Sequence, residues 1–305
     1  MGVGLRFQVL GPVSVYDADV LVALGGPKPR LLLAALLASP GRVVAAERLI
    51  DIVWGDSPPS ACRALVQTYV SGLRKALGRR GTAAVIVTKA PGYLVQVGAD
   101  ELDSLVFERL IEKGATAARA LDHAGTVEAL RRAEALWCGD PFGGVESAAL
   151  ASAARRLTEL RLSATEQRIA AQLELGHDDE VLAELTALVA AYPMRERLRA
   201  HLMVALFRRG RRADALDAYR EGRAVLVDQL GIDPGPDLQR THEAILRADP
   251  AVCRPSVSAT SRGWARPDLP PAPTHVSSSP GTRRSACRRT RRSACRRSCP
   301  PCRRT

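Results

Sequence analysis

The chain has 305 residues, a formal charge of +12 and an apolar content of 46%, which suits roughly two domains with cores of their own. Its longest apolar run, Leu31 to Ala38, is far short of the roughly 18 residues a membrane span requires. The start lacks a signal pattern, and the first 250 residues hold only Cys62 and Cys138, so a membrane protein and a disulfide scaffold are excluded and a cytoplasmic one is expected. The charge is unevenly placed. Residues 1–99 carry eleven basic and five acidic groups, residues 100–250 twenty and twenty-six, and residues 251–305 thirteen Arg against Asp268. The first 250 residues are therefore neutral, with a basic part followed by an acidic one, a division that points to two roles.

Leu5 to Val15 alternates apolar and polar residues around Gly11-Pro12, which predicts two short antiparallel strands, and a second strand pair is expected near Val20 to Leu24. Pro27 to Arg30 opens an apolar helix that Ser39-Pro40-Gly41 stops. A second helix is expected over Ala45 to Trp54, where Leu49, Ile50 and Val53 recur at helical spacing before Gly55 to Pro59 end it. A third runs from about Ser60 to Leu77, and the run Val85 to Val95 then reads as a hairpin.

Residues 57–99 hold six basic side chains and no acid: Arg63, Arg74, Lys75, Arg79, Arg80 and Lys89. At 100° per residue, Cys62, Val66, Tyr69, Val70, Leu73 and Leu77 share one stripe of the third helix, and Arg63, Gln67, Ser71, Arg74 and Lys75 share the stripe beside it. Arg grips guanine bidentately, Gln pairs with adenine, and Arg, Lys and Ser hold phosphate oxygens. A lone stripe of this kind is more often a solvated flank. The missing acids and the adjacent hairpin turn the reading toward a winged helix that meets duplex DNA. Lys89 is expected at the wing tip with Thr88 and Tyr93 beside it, while Pro91-Gly92 reads as turn chemistry. Arg79 and Arg80 are expected in the connecting loop as neighbours of the DNA backbone.

From Glu101 the pattern is helical, with breaks expected near Gly125, Gly139 to Pro141, Gly176, Pro193, Gly210 and Gly231 to Pro236. Gly176 and Gly210 stand 34 residues apart and are followed by Leu182 and Leu185 and by Leu216 and Tyr219, a tetratricopeptide-like (TPR-like) spacing that a plain helix bundle also produces. Residues 251–305 are Pro-, Ser-, Arg- and Cys-rich and repeat T-R-R-S-A-C-R-R over Thr282 to Arg289 and Thr290 to Arg297. A disordered basic tail is expected there, either an aid to nucleic-acid binding or the trace of a shifted reading frame. Phosphate-loop, dinucleotide and zinc-protease motifs are absent, and the five His stand apart. No enzyme is expected, and no catalytic, cofactor-binding or metal-ligating residue is assigned. Cys299-Pro300-Pro301-Cys302 lacks a surrounding fold to fix four ligands.

These motifs resemble the Streptomyces antibiotic regulatory protein family. The matching stretches are Leu10-Gly11-Pro12, Leu24 to Arg30, Arg48-Leu49-Ile50 with Val53 to Asp56, Tyr69 to Gly78, Pro91 to Leu94 and Leu102-Asp103. They continue with Ala135-Leu136-Trp137, Tyr192 to Leu198, Gly210-Arg211 with Ala213 to Leu216, and Leu230 to Pro236. The resemblance implies an α+β winged helix of OmpR type over residues 1–98, an all-α, TPR-like bacterial transcriptional activation domain over 99–250, and the tail over 251–305. It further implies a nucleoid-associated activator of a secondary-metabolite (antibiotic) gene cluster, binding promoter direct repeats as a homodimer and engaging RNA polymerase. Gly55, Asp56, Ser57, Pro58 and Pro59 are the polymerase-facing loop by this resemblance. Neither the ATPase domain of larger relatives nor a receiver domain is expected.

The chain departs from the family at Ser71-Gly72-Leu73-Arg74, where a cation is usual at the second position. Two further readings stay open: a helical-repeat adaptor whose DNA binding is weakened by Gly72, and a repressor at the same promoters.

Overall fold

The computed structural model describes residues 4–78, 85–145 and 147–249. The tail, with its repeat and its Cys-x-x-Cys, lies outside these residues, as do Arg79 and Arg80.

The N-terminal alternation forms β1 (Leu5–Gln8), β2 (Ser14–Asp17) and β3 (Val20–Leu21), an antiparallel sheet in that order. Phe7 pairs with Val15, and both side chains are buried. The next helix, α1 (Pro27–Leu37), is apolar all round from Leu31 on, and every residue from Leu31 to Leu37 is buried. It is the central post of this half, with the helices α2 (Ala46–Trp54) and α3 (Cys62–Leu77) packed on it. Along α3 the buried residues are Val66, Val70, Leu73 and Leu77, the stripe that helical spacing marks out. The wing follows as β5 (Ile86–Lys89) and β6 (Gly92–Val95), and the short β4 (Val44–Ala45) completes its sheet in the order β4-β6-β5.

Among the described residues seven helices follow: α4 (Asp103–Arg119), α5 (His123–Glu134), α6 (Ala148–Glu174), α7 (Asp178–Ala191), α8 (Glu196–Arg208), α9 (Arg212–Leu230) and α10 (Pro236–Arg247). Gly176 and Gly210, at φ +78° and +75°, end α6 and α8 in the same way. The amide after each glycine donates five residues back, His177 N to the Gln172 carbonyl and Arg211 N to the Leu206 carbonyl, both at 2.9 Å. This closure requires a left-handed residue, which glycine adopts without strain. The break expected at Gly125 lies earlier: α4 stops at Ala120, and Gly125 sits in the first turn of α5, where its N–H donates to the capping carboxylate of Asp122 at 2.8 Å. A glycine can thus sit inside a helix start as well as mark a break.

The apolar core does not follow the change of pattern at residue 99. One buried cluster runs from Phe7 through the winged helix to Leu102, Phe107, Phe142 and Leu157. A second gathers Leu162, Leu173, Leu185, Leu198 and Met203 with Leu238 and Ile245. The two meet within α6. The segment Val9 to Val13 is held from both sides: Cys138 N donates to the Leu10 carbonyl at 2.8 Å, Phe142 N to the Val9 carbonyl at 2.8 Å, and Gly143 N to the Gly11 carbonyl at 2.9 Å. Asp103, at the start of α4, accepts the backbone N–H groups of Val9 and Leu10 at 2.9 Å. Burial pushes its carboxyl up to about 6 despite these donors, which act in the opposite direction.

Ion pairs tie the second half together. Arg168, with a side chain only 6% exposed, donates to Glu134 of α5 and, at 2.6 Å, to Glu184 of α7, and its remaining nitrogen donates to Gln172. Every nitrogen of this buried guanidinium has an acceptor, which is the condition under which a buried charge is tolerated.

Candidate nucleic-acid interface

Beside its buried stripe, α3 exposes Arg63, Ala64, Gln67, Thr68, Ser71, Gly72 and Lys75 in sequence order. These positions share one face at helical spacing, and none of them is acidic. Gly72 lies within this open face; a Cβ added there meets nothing within 4 Å. Gly72 leaves α3 uninterrupted.

Arg74 departs from its expected place on that face. It is half-buried, its Nε donates to the Ile86 carbonyl at 2.8 Å, and its Nη2 donates to Thr88 Oγ1 at 2.8 Å. Arg74 is thus a strut between α3 and β5, and Thr88 is its acceptor. Tyr93 is 9% exposed, pairs with Val44 and Thr88 across the wing sheet and belongs to the core, which leaves its ring little surface to offer a partner. Lys89 is exposed beside the two-residue turn Ala90-Pro91. Gly92 serves close packing rather than turn chemistry: it is a strand residue against β4, where a Cβ would collide with the Val44 carbonyl oxygen.

The acid-free stretch of sequence is not acid-free in space. Glu47 of α2 forms an ion pair with Arg63. Both side chains are largely exposed, so the pair contributes little to stability, yet it engages one of the expected contacts. Lys75 and Lys89 make no ion pair among the described residues. The signal that would have found Glu47 is absent from local sequence, because α2 and α3 cross at an angle that no spacing encodes.

Gly55 to Pro59 form an exposed loop between α2 and α3. Its ends are fixed: Gly55 N donates to the Asp51 carbonyl at 2.8 Å, and Cys62 N to the Pro59 carbonyl at 3.0 Å. Trp54 stacks on Tyr69 of α3, with centroids 6.1 Å apart, and carries the Lys28 ammonium 5.2 Å from its ring. This aromatic pair, which the sequence did not single out as a site, holds the base of the loop.

Residues 23–95 match the family described as transcriptional regulatory protein, C terminal, and residues 102–246 match the bacterial transcriptional activator domain. Regulatory protein AfsR of Streptomyces coelicolor is 42% identical over 283 residues, 92% of this chain and 28% of AfsR. The chain thus spans little more than a quarter of that relative. Regulatory protein DnrI of Streptomyces peucetius is 36% identical over 267 residues, 84% of this chain and 98% of DnrI. The solved structure of Mycobacterium tuberculosis EmbR in complex with a low affinity phosphopeptide superposes with a TM-score of 0.78 at 33% identity, over 82% of this chain and 68% of that one. With both segments present in order and a relative matched along nearly its whole length, the chain belongs to the Streptomyces antibiotic regulatory protein family of transcriptional regulators, an OmpR-type winged helix followed by a helical activator domain.

Proposed function

We propose that the chain is a sequence-specific DNA-binding activator of a secondary-metabolite gene cluster, acting on promoter direct repeats as a homodimer and working at the nucleoid. Residues 1–98 bind duplex DNA, and residues 99–250 serve self-association and contact with RNA polymerase. The observation that carries this reading is the acid-free exposed face of α3, with a wing braced beside it by Arg74. A helix presenting Arg63, Gln67, Ser71 and Lys75 fits a major groove, where Gln67 and Arg63 have the donors to read base edges and Lys75 and Ser71 those to hold phosphates. Lys89 then reaches the flanking backbone, and the loop Gly55 to Pro59 is the surface offered to polymerase. The activity is binding rather than catalysis.

Arg74 and Lys75 separate the parts of this reading. Lys75→Ala removes a phosphate contact, so promoter affinity falls and the slope of log affinity against log salt becomes shallower by about 0.9. Arg74→Ala loosens the wing without removing a phosphate partner, so affinity falls with the slope unchanged. Gel-shift titrations at several salt concentrations read both. Unchanged affinity in both variants would remove α3 from the interface.

A second reading, a helical-repeat adaptor with weakened DNA binding, is favoured by one observation: the open space over Gly72, where the family usually carries a cation. Gly72→Arg distinguishes the two. A tenfold or smaller gain in promoter affinity, about 1.4 kcal/mol, fits a working activator; a much larger gain fits the adaptor.

A further inference from the structure

Where α5, α6 and α7 converge, beside the junction of the two apolar cores, a cavity of about 380 Å³ opens to solvent. That volume lies within the range of small-molecule sites. Its walls are aromatic and aliphatic, from Trp137, Tyr192, Leu162 and Leu188, and its polar lining has three acids, Glu134, Asp140 and Glu184, beside two threonines and one cation, Arg161. Glu134 and Glu184 share the single buried charge of Arg168, so one carboxylate charge is left over. Asp140 is exposed and makes no ion pair among the described residues, which adds a second. The cation on the cavity wall, Arg161, lies 4.7 Å from the centroid of the Trp137 ring and has no carboxylate partner among the described residues. Trp137 is held edge-on by Phe107, with centroids 5.3 Å apart and an interplanar angle of 78°. Its buried N–H has no acceptor.

We propose that this cavity binds a small organic cation, a molecule with a flat ring and a protonated amine. The ring suits walls made by an indole, a phenol and two leucines, and the amine suits the uncompensated carboxylates. Arg161 offsets one of the two charges left over, so the lining stays negative by one and a carboxylate-bearing ring of the same size binds less well than the amine. The site is independent of the DNA-binding reading, since its residues lie outside the winged helix and its test needs no DNA.

Tryptamine and indole-3-acetate carry the same ring with opposite charges. On the full chain, tryptamine is expected to raise Tm saturably, with a calorimetric dissociation constant of about 1 mM or tighter, and indole-3-acetate to raise it less at the same concentration. Asp140→Asn, an exposed side chain whose loss leaves the packing intact, is expected to weaken tryptamine at least about threefold. Tyr192→Ala is expected to weaken both the calorimetric signal and the Tm shift. No Tm shift with tryptamine, equal shifts with the two compounds, or full tryptamine affinity in both variants would overturn the proposal.

Discussion

Arg74 and Asp103 show how far a side chain's role depends on partners distant in sequence. Helical spacing puts Arg74 on the donor stripe of α3 with Arg63, Gln67, Ser71 and Lys75. Its length then lets the guanidinium turn back to Ile86 and Thr88 of the wing, a choice that only the position of β5 decides. Asp103 belongs to a motif visible in the sequence, but its acceptors serve Val9 and Leu10, more than ninety residues away. Burial raises its folded pKa from the ordinary 3.8 to about 6, so the folded chain holds this proton more tightly than the unfolded one. The contribution to stability is therefore fully present below about pH 4 and is lost as pH rises through 6. Asp103→Asn cannot ionise. Chemical denaturation at several pH values is expected to show wild type losing stability relative to Asp103→Asn between pH 4 and 6, with a constant difference above. A flat difference across that window contradicts the assignment.

At the level of elements, what the sequence reveals is whatever local pattern controls. The buried run of α1, the stripe of α3, the wing hairpin and the paired glycines of the helical half are all visible, because each depends on neighbours within a few residues. Gly210 illustrates the gain. Its 34-residue spacing from Gly176 marks a repeated turn, and the structure supplies the reason, a left-handed closure after α8. Gly210→Ala places a Cβ in that conformation and is expected to cost about 1 kcal/mol in thermal or urea unfolding, while a neutral result would mean that the turn relaxes. Gly125 misleads for the complementary reason: an Asp122 cap takes its N–H, and a glycine at a helix start looks the same in sequence as one at a helix end. Tyr93 reads as wing surface and Gly92 as a turn residue because local sequence cannot reveal that β4 pairs with both.

Across the whole molecule, the charge partition and the change of pattern at residue 99 suggest two independent halves, whereas the buried clusters are continuous from Phe7 to Leu157 and separate only within α6. The segment Val9 to Val13 is the reason, since it is hydrogen-bonded to the start of α4 and to the Cys138 to Gly143 loop. Apart from the Asp103 carboxylate, such a seat is made of backbone groups, which carry no sequence signal. The winged helix is therefore attached to the helical half through a shared core rather than a linker.

The central claim is that the open face of α3 meets DNA, and Gly72 allows a direct test. It lies on that face with empty space around it, and any residue other than proline favours the helix over glycine. Gly72→Glu should therefore fold at least as well as the natural chain while placing a negative charge against the phosphates. In quantitative promoter binding at fixed salt, the account predicts a loss of about a hundredfold, near 3 kcal/mol, with Tm unchanged or raised. Wild-type affinity in Gly72→Glu would contradict it.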